Sequence, residues 1–315
     1  MMKGVARIDG RHANAVDGRV VWSPGKSLWN SGMLAIAVAF APGTLSAGTL
    51  TLFLSVTYLS LLLGHSVGMH RRFIHGAYEC KKWLERTLVY IGVLVGVAGP
   101  FGILRVHDQR DWAQRQSTCH DFFAHRRNPF VDLFWQLNCR FEYDRPPRFR
   151  LEPEFGNDPW YRYLERTWML QQVPIALLFY YWGGVAWVVW GVCARVSISV
   201  VGHWGITYWC HNPGRGEWRV KGAAVQASNL PGLGLLTYGE CWHNNHHAFP
   251  ESARIGLEPG QLDPGWNVLK LLARFGWVWN LGQPRPASER EDLVFLGVQL
   301  EAGMNDAATG PKGAA

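Results

Sequence analysis

The chain has 315 residues, 48% of them hydrophobic, with 17 Trp, 12 His and a formal net charge of +7, enough for one large domain or two small ones. A basic balance invites a nucleic-acid partner, but no basic patch lies on a recognisable nucleic-acid module, which excludes that reading. The six cysteines, at 80, 119, 139, 193, 210 and 241, form no CxxC pair and are expected as free thiols in a reducing compartment.

In chain order, the first twenty residues carry charge without an apolar h-region or cleavage site and are not a secretory signal. Residues 1–27 read as a cytoplasmic N-terminal segment. From Ser31 to Gly68 there is no Asp, Glu, Lys or Arg, and from Thr167 to Gly214 the only such residue is Arg195. Each window is about twice the ~20 residues a helix needs to cross a bilayer. Each therefore reads as a helical hairpin, with turns at Pro42–Gly43 and at Gly183–Gly184. Four spans follow, near 29–42, 46–66, 168–183 and 186–208. Between the hairpins lie Arg71, Arg72, Lys81, Lys82, Arg105, Arg126 and Arg127, whereas the hairpin turns hold no basic residue. The positive-inside rule then puts the middle region and both termini in the cytoplasm. Arg195, inside the fourth span, is expected to snorkel to the far interface.

Thr87 to Leu104 is uncharged but is flanked by His75 and His107. If these histidines share a site, both ends of the segment lie on one face of the membrane, so it is expected to be interfacial or re-entrant. Trp266 to Asn280 interleaves Lys270 and Arg274 with Leu and Trp, the pattern of an amphipathic surface helix. The whole reads as one membrane domain over 28–285, followed by a disordered tail at 286–315.

Histidine spacing carries the chemistry. His243, His246 and His247 stand at i, i+3 and i+4, within ~60° of one another on a helix, so one face is expected to present three nitrogen ligands. His70 and His75 are five apart, ~140° around a regular helix. They serve two metals, or the helix ends between them. His203 and His211 are eight apart, roughly 12 Å along an axis and ~80° around it, so a straight helix does not offer both to one ion. His211 precedes Asn212, Pro213 and Gly214, a helix stop at the membrane surface. His203 is either a ligand candidate or a hydrogen-bonding partner of another helix.

With these residues the chain resembles the membrane fatty acid desaturases of the delta-9, acyl-CoA or acyl-lipid type, over roughly 30–282. "GECWHNNHHAFPESARIGLE", from Gly239 to Glu258, matches that family's third histidine box and its continuation, and "VGMHRRFIH", from Val67 to His75, has the spacing of the first. The resemblance implies an all-α integral membrane protein, with four transmembrane helices in two hairpins under a cytoplasmic helical cap that encloses a di-metal site. It implies two non-haem irons (Fe2+), O2 as co-substrate and a long-chain acyl substrate on CoA or lipid. It also implies electrons from a separate donor, a ferredoxin, cytochrome b5 or reductase, and a cis double bond as product. The metal ligands it points to include His70, His75, His107, His211, His243, His246 and His247. A compact chain with no fused donor domain suits a bacterial inner membrane.

The middle box departs from the family. Where HxxHH is expected the chain reads "HDQRD": His107 is present, but Arg110 and Asp111 stand at the paired histidines. Asp111 is i+4 from His107 and is a sound iron ligand, so it is expected to replace one histidine, with His203 a candidate for another. The alternative for Asp111 is a salt bridge to a neighbouring arginine. Arg110 is always cationic and cannot ligate. Asp121 and His125, again i and i+4, and His120 are candidates for weaker ligands or outer partners. Thr207 stands where the family usually has an Asn and is a candidate water holder. Glu240, three residues before His243, is either an outer partner of a ligand or a cap. Lipid hydroxylation, or a pseudoenzyme that only binds lipid or metal, are the alternative outcomes.

Overall fold

A computed structural model describes residues 7–297. It is mostly helical. Helix α1 (Pro24–Phe40) and helix α2 (Ala47–Leu59) are joined by a 3-10 turn at Pro42–Thr44, where proline halts the first helix and Ser46 opens the second with a reciprocal capping box to Thr49. Helix α2 runs unbroken into a π-helical segment, Ser60–Ile74. Helix α3 (Lys82–Leu94) lies against that segment, a turn at Gly96 (φ 85°) reverses the chain, and α4 (Pro100–Gln114) returns. The uncharged stretch Thr87–Leu104 therefore folds back on itself, leaving His75 and His107 at the same end.

The close approach of α3 depends on glycine. A Cβ at Gly64 would fall 2.4 Å from Gly92 N, and one at Gly68 would fall 2.8 Å from the Leu88 backbone. Gly64→Leu should therefore force the two elements apart and cost at least the ~1–3 kcal/mol of an overpacked core. Thermal unfolding in detergent measures this; an unchanged midpoint contradicts the packing.

Short helices α5 (Asp121–Ala124), α6 (Pro129–Asn138), α7 (Pro153–Gly156) and α8 (Pro159–Thr167) precede the second hairpin. Helix α9 (Gln172–Val188) breaks at Gly184, whose φ of 63° and ψ of −158° suit glycine. It continues through a π-turn, Val189–Ala194, into α10 (Arg195–Cys210). Ala47–Ile74 and Gln172–Cys210 are long and apolar enough to cross a membrane. Leu54, Leu177, Tyr181, Trp182 and Val185 are exposed on these elements, a surface that water would not favour. Helices α1, α2, α9 and α10 pack together, and a buried core around Met69, Phe73, Leu104, Tyr161 and Leu164 joins the π-segment to α4 and α8. Helix α11 (His243–Ala248) and helix α12 (Pro264–Arg274) complete the framework. Leu269 of α12 is buried, while Leu271, Phe275 and Trp277 are exposed.

Two expectations are corrected. Arg195 does not snorkel. It is 2% exposed, and its Nε donates to Gly191 O (2.7 Å), its Nη1 to Leu94 O and its Nη2 to Gln172 Oε1. The break at Gly184 brings Arg195 beside the start of α9 and the end of α3, where the last carbonyls of α3 lack helical donors. Short strands also pair within this mostly helical framework: β1 (Ile8–Asp9) with β5 (Arg148–Phe149), β2 (Gly18–Trp22) with β4 (Cys139–Tyr143), β3 (Glu79–Cys80) with β7 (Val278–Trp279), and β6 (Trp218–Val220) with β8 (Leu293–Phe295). These antiparallel ties fasten segments whose composition gives no helical period, such as GRVVW. Finally, the expected tail is ordered as far as residue 297, because β8 is paired and Arg290 Nη1 donates to Ala248 O at 2.9 Å; the rest of it lies outside the described residues.

Candidate metal centre

The π-helical segment explains how two histidines five apart share a site. His75 N donates to His70 O at 3.1 Å, an i to i+5 bond, and in such a ladder residues five apart stack on one face. Their ring centroids are 4.8 Å apart. His107 from α4 and His246 from α11 close on the same point, and the ligand atoms of these four residues lie within 4.8 Å of one another.

A second group forms beside the first. His211, just past α10, meets His243 and His247 of α11. His243 Nε2 is 3.1 Å from His247 Nε2, which is 3.3 Å from His211 Nε2. That spacing is close to what donors have around one ion with metal–nitrogen bonds of about 2.1 Å. The three histidines of α11 thus do not act from one face: His243 and His247 turn to one group and His246 to the other, so the six-residue helix ties the two groups together.

Six of the seven residues are buried and His75 is half-buried. His75 Nε2, both nitrogens of His107, His243 Nδ1 and His246 Nδ1 are buried without a hydrogen-bond partner; a cation would satisfy the unprotonated nitrogen of an imidazole such as His107, which otherwise has no partner at all. Burial, reinforced by neighbouring imidazoles, pushes His75, His211, His246 and His247 well below the usual histidine range. Burial and then Arg110 push His243 down to about 4. All five are therefore neutral near pH 7, the form that ligates metal. An all-imidazole donor set suits Fe, Zn, Cu or Ni. The residues fit a pair of transition-metal ions.

The family model described as "Fatty acid desaturase" matches residues 44–276, which include both groups. The chain belongs to the fatty acid desaturase family. It is similar to the sn-1 stearoyl-lipid 9-desaturase of Anabaena variabilis, 30% identical over 249 residues covering 77% of this chain and 87% of the relative. It is also similar to the chloroplastic palmitoyl-monogalactosyldiacylglycerol delta-7 desaturase of Arabidopsis thaliana, 32% identical over 242 residues (74% and 62%). A third relative is the acyl-CoA C20 Delta5-desaturase of Anemone leveillei, 27% identical over 277 residues (84% and 86%). The desaturase is thus an oxidoreductase.

Around its histidines the desaturase arranges a shell of partners. Glu240 Oε2 lies 2.7 Å from His70 Nδ1 at an ion-pair approach rather than an aligned hydrogen bond, while its Oε1 accepts from Ser66 Oγ at 2.5 Å. Arg71 is 1% exposed, holds Asp263 through two hydrogen bonds of 2.8 and 3.2 Å and stands 3.5 Å from Glu240. Thr207 holds His211 through its backbone: the carbonyl takes the Nδ1 proton at 2.7 Å, leaving Nε2 for the group. The Thr207 hydroxyl donates within its own helix, to His203 O at 2.9 Å.

Asp111 and His203 are in neither group. Asp111 Oδ2 is 3.7 Å from His107 Nδ1, and its Oδ1 is 3.6 Å from Arg110 Nη2 and buried without a hydrogen bond. Burial opposes its ionisation, but His107 and the always-cationic Arg110 outweigh this and hold its carboxyl well below the usual range. His203 faces His65, centroids 4.8 Å apart and rings nearly perpendicular; two turns along α10 from His211, it is carried away from that group. Asp121 pairs with Arg127 (2.9 Å), and His120 caps α5 by accepting from Phe122 N (3.1 Å); neither is in either group. His125 stacks on His211 with centroids 5.6 Å apart.

Sequence reasoning missed His65, Asp132 and the Arg71–Asp263 pair. His65 had a signal, since His65, His70 and His75 repeat at intervals of five. A lone acid such as Asp132 had none.

Proposed function

We propose that this protein is an O2-dependent di-iron fatty acyl desaturase, which introduces a cis double bond into a saturated chain carried on CoA or lipid, with electrons from a separate donor. The observation that carries this is the pair of buried imidazole groups, of four and three histidines, joined on α11 next to an apolar helical bundle. Iron held there would supply the O2-dependent removal of two hydrogens from adjacent saturated carbons. Glu240 orients His70, and the Thr207 carbonyl fixes the tautomer of His211. The two hairpins span the membrane as four helices, within one domain over 28–285 in a bacterial inner membrane, and the histidines and both termini face the cytoplasm.

Asp111 supplies a further oxygen donor beside His107. Asp111→Ala should lose iron, whereas Asp111→His should keep some of it; equal iron in the wild type and the Ala variant removes Asp111 from the site. The function is tested by fatty-acid profiling of a desaturase-deficient host that expresses the chain with a competent electron donor. New monounsaturated chains are expected. Hydroxylated lipid instead would mean that oxygen returns to the carbon, and no new product would leave lipid or metal binding alone.

A further inference from the structure

The two groups are unequal: one gathers four imidazoles and the other three. Behind the smaller group stands a histidine built like a ligand. His125 is 2% exposed, and its ring lies nearly parallel to that of His211, at 20°. Its Nδ1 is 3.0 Å from Asp132 Oδ1, and the same oxygen accepts from Trp204 Nε1 at 2.8 Å. Asp132 is fully buried. The other ring nitrogen, Nε2, is buried and has no partner, and neither has Asp132 Oδ2. A histidine whose role was only to fill space would leave those two polar atoms uncompensated, at a cost of about 1–3 kcal/mol each.

The backbone points the same way. His125 ends α5 in the left-handed region, with φ 53°, a conformation that costs a non-glycine residue and persists where the surroundings impose it. Its carbonyl accepts from Asn212 Nδ2 at 3.1 Å, which ties it to the residue that follows His211. A carboxylate holding one ring nitrogen while the other stays free is the arrangement that prepares a histidine for metal.

We propose that His125, oriented by Asp132, is the fourth imidazole ligand of the His211–His243–His247 group. This rests on the reading of both groups as metal sites. His125 stands behind the trio rather than within it, so metal loading must draw its ring in. Asp132 is then a positioning residue, acting through His125.

The test is anaerobic titration of the full-length, metal-stripped protein in detergent with Co2+, which reports uptake and ligand-field absorption without turnover. The wild type should bind two equivalents. His125→Ala and His125→Gln should weaken one equivalent by more than about 100-fold and change its absorption, with the other equivalent unaltered; Asp132→Asn should weaken the same one by about 10–100-fold. Retention of the four-histidine equivalent certifies that a variant is folded. If His125→Ala loses both, the Gln and Asn variants decide. Wild-type isotherms and spectra in folded His125 variants overturn the proposal, while a wild type that binds fewer than two equivalents overturns the metal reading beneath it.

Discussion

His246→Ala should abolish desaturation and release one metal equivalent while the other remains. His246 is the only α11 residue in the four-histidine group, with ring centroids 4.5 Å from those of both His70 and His75. Its loss leaves His70, His75 and His107 with one side open. Loss of an outer partner of a metal ligand costs about 10–100-fold, so loss of the ligand itself should exceed 100-fold in activity. His243→Ala should do the same to the three-histidine group. Metal content and turnover measured on the same preparation check this: each variant should retain about half the wild-type metal. If either variant lost both ions and unfolded, α11 would be a structural element first. Full metal content in either variant would contradict the assignment.

The second large effect concerns stability. Asp263→Ala should destabilise the protein by roughly 3–5 kcal/mol, because it leaves a buried guanidinium without its main counter-charge. Arg71 follows His70 directly and is sealed among Asp263, Glu240 and the carbonyls of Ala253 and Tyr238. Asp263 also accepts from the backbone nitrogens of Ile255, Gly256 and Trp266, so it holds the loop after α11 and the start of α12 together. Without it Arg71 would turn to Glu240, the carboxylate beside His70. Iron in the four-histidine group should then weaken along with the fold. Replacing both partners, as Arg71→Met with Asp263→Leu, should recover only part of the stability: the unpaired guanidinium is gone, but the nitrogens of Ile255, Gly256 and Trp266 still lack their acceptor. Chemical unfolding in detergent measures the difference; a loss of less than about 1 kcal/mol for Asp263→Ala would mean that water reaches the guanidinium.

The histidine-rich stretches and the two uncharged windows were legible because they are dense local signals. Pro42 and Gly184 could be read as breaks because each constrains or frees its own backbone. The geometry of His70 and His75 was not legible, since α-helical spacing puts them on different faces and only the π-helical ladder aligns them. Nor was the division of α11, where one turn of helix serves two centres. Arg195 was misread because its partners, Leu94 and Gln172, come from elements distant in sequence. Arg71 and Asp263 are 192 positions apart, and neither residue's neighbours indicate the other. The pairing of β8 with β6 likewise escaped a reading that weighed only local composition.

The central claim is that two irons share this cage, and iron per chain in the purified, anaerobically reconstituted protein tests it most directly. The two imidazole groups predict two irons per chain, both lost on chelation and restored on readdition. One iron or none, in folded protein, would contradict it.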